Sequence, residues 1–114
     1  MPSQTETFTD TTALDVAALR AHAGEAVALL KVLGNEDRLM LLCQIAQQPR
    51  TVGELEALTG IYQPTLSQQL GVLRREGLVR TEREGKFIRY QAADERALQL
   101  MALVHQLFCE GAHA

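Results

Sequence analysis

Apolar residues return every three or four positions through most of this chain, and that rhythm divides it into elements. Over 15–33, Val16, Leu19, Ala23, Ala26, Leu30 and Leu33 keep the helical spacing and predict a first helix. Leu29 and Val32 lie off its stripe, more apolar surface than a short surface helix needs, which fits packing against a second copy of the chain. Gly34 and Asn35 stop this helix and cap the next, with Glu36 and Asp37 suited to its first turn. The second helix is predicted over 36–47, with Leu39, Leu42, Cys43 and Ala46 on one side, and closes at Pro49 and Arg50. Thr51 and Glu54 have the offset of a capping box before a short helix with core residues Leu55 and Leu58 and a stop at Gly60. Ile61 and Tyr62 fill a brief turn. Residues 63–76, QPTLSQQLGVLRRE, then carry Leu66, Leu70 and Leu73 on one stripe and polar groups opposite, with Pro64 just inside the helix start.

After Gly77 the helical period ends. The stretch LVRTEREGKFIRYQ is rich in β-favouring residues around a Glu84-Gly85 turn and predicts a hairpin with Arg83 and Lys86 at its tip. Asp94 is placed to cap a last helix running to about Glu110. Leu98, Met101, Ala102, His105 and Cys109 line one side of that helix, and Leu100, Leu103, Val104 and Leu107 line another. A terminal helix apolar around so much of its circumference is expected to be covered, and a dimer partner is the natural cover for so small a domain. The predicted fold is therefore mainly α with a β-hairpin wing (α+β), a winged helix-turn-helix with extra N- and C-terminal dimerisation helices.

Composition narrows this picture. At 114 residues there is room for one domain, and 46% hydrophobic residues with only 4% aromatic and no Trp favour helices over a β sandwich. Residues 1–13 are rich in Thr, Ser, Gln and acids and are expected to be a disordered tail, leaving 14–114 as the domain. The start lacks a basic segment followed by an apolar one, and no apolar run approaches the roughly 20 residues that span a bilayer. A cytoplasmic protein with reduced thiols and no membrane contact is the expectation. The formal net charge of −3 opposes general coating by nucleic acid. Yet over 71–91 six basic residues outnumber three acidic ones, while the remainder carries a net −6. Such a local excess fits phosphate binding, although a charge run is also what any solvated face shows.

Those charges give the helix over 63–76 a candidate role. Gln68 and Arg75 sit near the centre of its polar side, Thr65 and Ser67 flank them, Gln63 precedes them, and Gly71 leaves room for close approach. Gln suits adenine edges, hydroxyls suit bases or phosphates, and Arg suits guanine or phosphate. A leucine stripe with a polar back also belongs to ordinary surface helices, so context decides. The segments LGNEDRLMLLCQI, TVGELEALTGIYQPTLSQQLGVLRREGLV and REGKFIRYQ supply it, since they resemble the ArsR family of bacterial repressors across nearly all the chain after residue 13. The resemblance implies a homodimer joined through its first and last helices, bound to double-stranded, roughly palindromic operator DNA with reading helices roughly 34 Å apart. It implies DNA-reading positions at Gln63, Ser67 and Gln68, with Thr65 nearby, and wing contacts at Arg83 and Lys86.

Many members of that family sense metals. Those with cysteines in the helix before the reading helix carry them where this chain has residues 54–58, which include no Cys. A second type of site uses acids and imidazoles along the last helix; Asp94, His105 and Glu110 are present, but Arg96 and Phe108 stand where further ligands are expected. No metal and no cofactor is therefore expected. Cys43 and Cys109 remain, and small buried apolar packing is an open reading for both. LLCQ and LFCEG, however, resemble the branch of the family that answers reactive sulfur species. That resemblance implies persulfidation of one thiol and capture by the other as a disulfide or polysulfide bridge. A thiol-oxidation or metal sensor on the same scaffold is the alternative. A thiol enzyme using Cys109 and His105 is more remote, because no oxyanion donor or third orienting group can be named, and the chain is expected not to be an enzyme.

Overall fold

The computed structural model describes residues 15–110, so the tail expected over 1–13 lies outside the described residues. The chain falls into two compact units, Met1–Lys31 and Val32–Ala114.

Helix α1 spans Val16–Leu33 and begins at Asp15, whose carboxylate accepts the Ala17 N–H at 2.9 Å. The spacing of apolar residues locates this helix correctly, and most of its apolar stripe is uncovered within the single chain. Val16, Leu19, Val27 and Leu30 are exposed, whereas Val32, predicted to lie off the stripe, is the buried residue.

In the second unit, α2 (Glu36–Gln47) is the central element and packs against α3 (Val52–Thr59), α4 (Thr65–Arg75), α5 (Glu95–His105) and strand β3 (Phe87–Ala92). It starts as the sequence predicts, with Asn35 accepting the Arg38 N–H at 3.0 Å. Its fully buried residues are Leu41, Leu42 and Ile45, while Leu39, Cys43 and Ala46 are half-buried. A helix contacted from several directions buries whatever its neighbours cover, so a single-stripe pattern underestimates its core. At α3 the capping box is reciprocal: Thr51 Oγ1 accepts the Glu54 N–H, and Glu54 Oε1 accepts the Thr51 N–H. Gly60 closes α3 at φ 72°, where a side chain would be disfavoured. Leu55 is fully buried, but Leu58, predicted to be core, is 48% exposed. Side chains three positions apart on a helix diverge by about 60°, and the neighbours of α3 cover Leu55 but not Leu58.

Helix α4 keeps its predicted stripe, with Leu66, Leu70 and Leu73 no more than 1% exposed. It is slightly shorter than predicted, and Pro64 stands just before it rather than inside. The side chain of Gln63 accepts the Ser67 N–H at 3.1 Å, so a residue outside the helix satisfies one of its unpaired donors.

Strands β2 (Val79–Glu84) and β3 form the wing, antiparallel and in register from Val79 opposite Ala92 to Glu84 opposite Phe87. The two-residue loop is Gly85-Lys86, one position later than predicted, and Gly85 has the positive φ (63°) that a tight hairpin of this kind requires. A third strand, β1 (Arg50–Thr51), pairs with β3 and makes the sheet order β1-β3-β2. Two residues carry no alternation, so this strand has no signal in the sequence.

Asp94 caps α5 by accepting the N–H groups of Arg96 and Ala97, as predicted. The helix does not continue unchanged to Glu110: residues Gln106–Glu110 form a wider π turn. Ala97 and Met101 are the buried residues of α5, while Leu103, Leu107 and Phe108 are exposed. Among the described residues no helix is long and apolar enough to cross a membrane.

Candidate functional site

Two clusters stand out, one on α4 and the wing, the other between α2 and the last turns of the chain. In the first, burial of the leucine stripe leaves Gln63, Ser67, Gln68, Arg74 and Arg75 exposed and Thr65 half-buried. Gly71 does not open an empty groove. The Arg75 guanidinium folds back along the helix, with a nitrogen 3.3 Å from where a Cβ on Gly71 would stand. At the wing tip Arg83 and Lys86 are exposed and have no ion pair among the described residues, and Lys86 Nζ lies 5.7 Å from the Phe87 ring centroid.

The other basic groups of the hairpin are engaged within the fold. Arg89 pairs with Glu84 across the wing and with Glu54 of α3 at 3.3 Å. Both carboxylates raise the Arg89 pKa, the Glu84 hydrogen bond most strongly, and the Thr51 N–H is the main cause that lowers the Glu54 carboxyl. Arg80 donates to the Ala92 carbonyl at 3.2 Å. Within the local positive excess, therefore, Arg83 and Lys86 differ from Arg80 and Arg89 in making no ion pair or backbone hydrogen bond among the described residues. Sequence reasoning also missed Arg38. Its Nε donates to the Val32 carbonyl at 2.7 Å and its Nη1 to Gln69 Oε1 at 2.9 Å, tying α2 to α4. Thirty-one positions separate Arg38 from Gln69, beyond the reach of any periodicity.

In the second cluster a cavity of about 510 Å³ opens between α2 and α5, and Cys43, Leu98, Met101, Ala102, His105 and Glu110 are in its wall. Cys43 and Cys109 are free thiols, the first half-buried and the second exposed. The Cys43 thiol donates toward Met101 Sδ at 3.4 Å. Burial pushes the Cys43 pKa up, and the negative charge of a Cys109 thiolate pushes it further in the same direction. The charge of a Cys109 thiolate thus bears on Cys43, although 66 positions separate them.

The π turn shapes this cluster. Five residues along an α-helix turn the side chain by about 140° away from its starting direction. The wider i to i+5 turn lets Glu110 come back over His105, and His105 Nδ1 lies 3.0 Å from Glu110 Oε2. Asp94, the other acid considered on this helix, is occupied by its cap and by Arg96. Among the described residues no group of three or more His, Cys, Asp or Glu side chains is arranged to hold a metal ion.

A polar helix face held on a leucine stripe, preceded by a capped helix and followed by a hairpin with exposed cations at its tip, defines a winged helix-turn-helix regulator. Residues 35–81 match the family described as bacterial regulatory protein, arsR family. The chain is 50% identical over 92 residues to the biofilm growth-associated repressor of Agrobacterium fabrum (strain C58 / ATCC 33970), covering 81% of this chain and 79% of that protein. The crystal structure of the transcriptional repressor BigR from Xylella fastidiosa superposes with a TM-score of 0.78 at 45% identity, covering 82% of this chain and 95% of that one. A homodimeric winged helix-turn-helix DNA-binding domain from Mycobacterium bovis superposes with a TM-score of 0.67 at 35% identity, covering 82% of this chain and 88% of that one. The chain belongs to the arsR family.

Proposed function

We propose that this chain is a homodimeric transcriptional repressor that holds operator DNA while its thiols are reduced and releases it once Cys43 and Cys109 are bridged. In this reading Gln63, Thr65, Ser67, Gln68 and Arg75 face the major groove, and Arg83 and Lys86 lie along the phosphate backbone. Pairing of two copies through α1 and the end of α5 accounts for the exposed Val16, Leu19, Leu30, Leu107 and Phe108.

The observation that carries the switch is the position of α2. This helix holds Cys43, packs against α4 and α5, and grips α4 through Arg38 and Gln69. A covalent link from Cys43 to Cys109 therefore pulls on the element that seats the reading helix. The two states differ in the separation of the reading heads, so operator affinity falls when the bridge forms.

The chemistry balances without a further oxidant. One thiolate attacks the outer sulfur of a persulfide R–S–SH, giving Cys–S–SH and RS⁻. The second thiolate attacks the cysteine sulfur of that persulfide, forming Cys–S–S–Cys and expelling HS⁻. With an organic trisulfide R–S–S–S–R, successive attacks on the central sulfur form Cys–S–S–S–Cys and release two RS⁻. An inserted sulfur relaxes the requirement that the Cα atoms of a direct disulfide lie within roughly 7 Å.

The test is a gel-shift assay on duplexes that the reduced protein selects from a random pool. It is run under reductant, peroxide and organic persulfide. Persulfide is expected to release DNA from the wild type and from neither Cys43→Ser nor Cys109→Ser. Release by peroxide as readily as by persulfide supports the general thiol-oxidation sensor instead, and an insensitive wild type removes the switch. Gln68→Ala is expected to relax sequence preference, and Arg83→Ala to weaken binding to all sequences by a similar factor.

A further inference from the structure

The bridge proposed above needs two thiols to act in turn, and the structure makes them unequal. Cys109 is exposed and meets a dissolved persulfide directly. Cys43 is half-buried, with its thiol turned toward Met101 Sδ and its pKa pushed up first by burial. A group that keeps its proton attacks only when something nearby takes that proton.

The wall of the cavity at Cys43 contains one imidazole, that of His105. Its Nδ1 faces Glu110 Oε2 at 3.0 Å, and both side chains are in the same wall as Cys43. With Nδ1–H donating to the carboxylate, the lone pair of the neutral ring is on Nε2, free to accept a proton. Glu110 is the other ionisable group of the wall besides Cys43, and Cys109 acts from beyond it. The polar Gln47 also lines the cavity but offers no basic nitrogen.

We propose that His105, oriented by Glu110, takes the proton from Cys43 in the bridging step. Cys109 first acquires sulfur, forming Cys109–S–SH with loss of RS⁻. The Cys43 proton passes to His105 Nε2, and the Cys43 thiolate attacks Cys109 Sγ. The Cys43–Cys109 S–S bond forms as the outer S–S bond of Cys109 breaks, and the outer sulfur leaves as HS⁻. The two cysteines are together oxidised by two electrons, and the transferred sulfur is reduced. Glu110 is a positioning residue in this step and touches neither reacting sulfur.

This inference rests on the thiol-switch reading, and the experiment separates the two. The reduced full chain is mixed with cysteine persulfide, quenched with iodoacetamide at intervals, and analysed by mass spectrometry across a range of pH. In the wild type the bridge closes quickly, and its rate is followed as a function of pH. His105→Ala should accumulate Cys109–S–SH and close at least about tenfold more slowly, a modest share of what a positioned base contributes. Added imidazole should restore much of that rate, which a merely structural loss would not allow. Glu110→Gln should show a smaller loss with the same sign. If the wild type bridges and His105→Ala bridges at the same rate and with the same pH profile, this inference alone is overturned. Failure of imidazole to restore a slowed variant also overturns it. A wild type that forms no bridge overturns the thiol-switch reading and this inference with it.

Discussion

A thiol's usefulness depends on where its proton sits, and at the residue scale the two cysteines have been placed in different surroundings by the same packing. Burial, reinforced by Cys109, raises the Cys43 pKa, so this thiol is expected to alkylate after the exposed Cys109 at neutral pH. Peptide mass spectrometry on briefly iodoacetamide-treated protein checks the order, and equal labelling of both sites would contradict it. The same shift bears on stability. A raised folded-state pKa makes a contribution that is complete below the unfolded value and is lost as pH rises through the folded one. The urea midpoint should therefore drop more on the alkaline side in the wild type than in Cys43→Ser. Asp94 has the opposite sign. Its carboxyl is held below the usual value first by the Arg96 side chain and then by the N–H groups of Arg96 and Ala97. That contribution is present above the unfolded carboxylate value and is lost in acid. Asp94→Ala should cost about 1 kcal/mol at neutral pH, and less as pH falls through the folded-state value, measured by urea denaturation.

At the scale of elements, helix α4 is as stable as its leucine stripe. Leu70 is 1% exposed and Leu58 is 48% exposed, although both occupy leucine positions predicted to face a core. Leu70→Ala should cost roughly 2–5 kcal/mol, and Leu58→Ala within about 0.5 kcal/mol, in thermal or urea unfolding. Similar losses at the two positions would mean that the burial described for α3 is wrong. The contrast also marks how far the sequence could be read. Period and capping are local, so α4, its three leucines, the Thr51-Glu54 box, Asn35, Gly60 and Asp94 were all legible. Burial on α2 was not, because four neighbouring elements decide it and three of them, α4, β3 and α5, lie further along the chain than the next helix. Strand β1 was invisible because it exists only through pairing with β3. The π turn was invisible because its residues are compatible with an ordinary helix, and with it went the approach of Glu110 to His105. The candidate DNA-facing residues were nameable from spacing and resemblance. That Arg89 is bound to two carboxylates while Arg83 and Lys86 are not required the folded wing.

At the scale of the whole molecule, a chain of net charge −3 must approach a polyanion through a small, locally positive surface. Each phosphate neutralised by a bound cation releases counterions, and log Kobs then falls with log salt with a slope of about −0.9 per contact on duplex DNA. The slope therefore counts contacts, and in a symmetric complex it counts them twice. If Lys86 touches one phosphate in each half of a dimer, Lys86→Ala removes two contacts and makes the slope shallower by about 1.8. If one protomer binds alone, the change is about 0.9. Arg80→Ala provides the comparison, since Arg80 is turned toward the Ala92 carbonyl and should leave the slope near the wild-type value. Titrations of the selected duplex at several salt concentrations, with reduced protein, make the measurement. A slope unchanged by Lys86→Ala would remove the wing from the interface, whatever its charge. A change of about 1.8 would link the exposed apolar residues of α1 and the last turns to function, because only a pair of chains presents two wings to one operator.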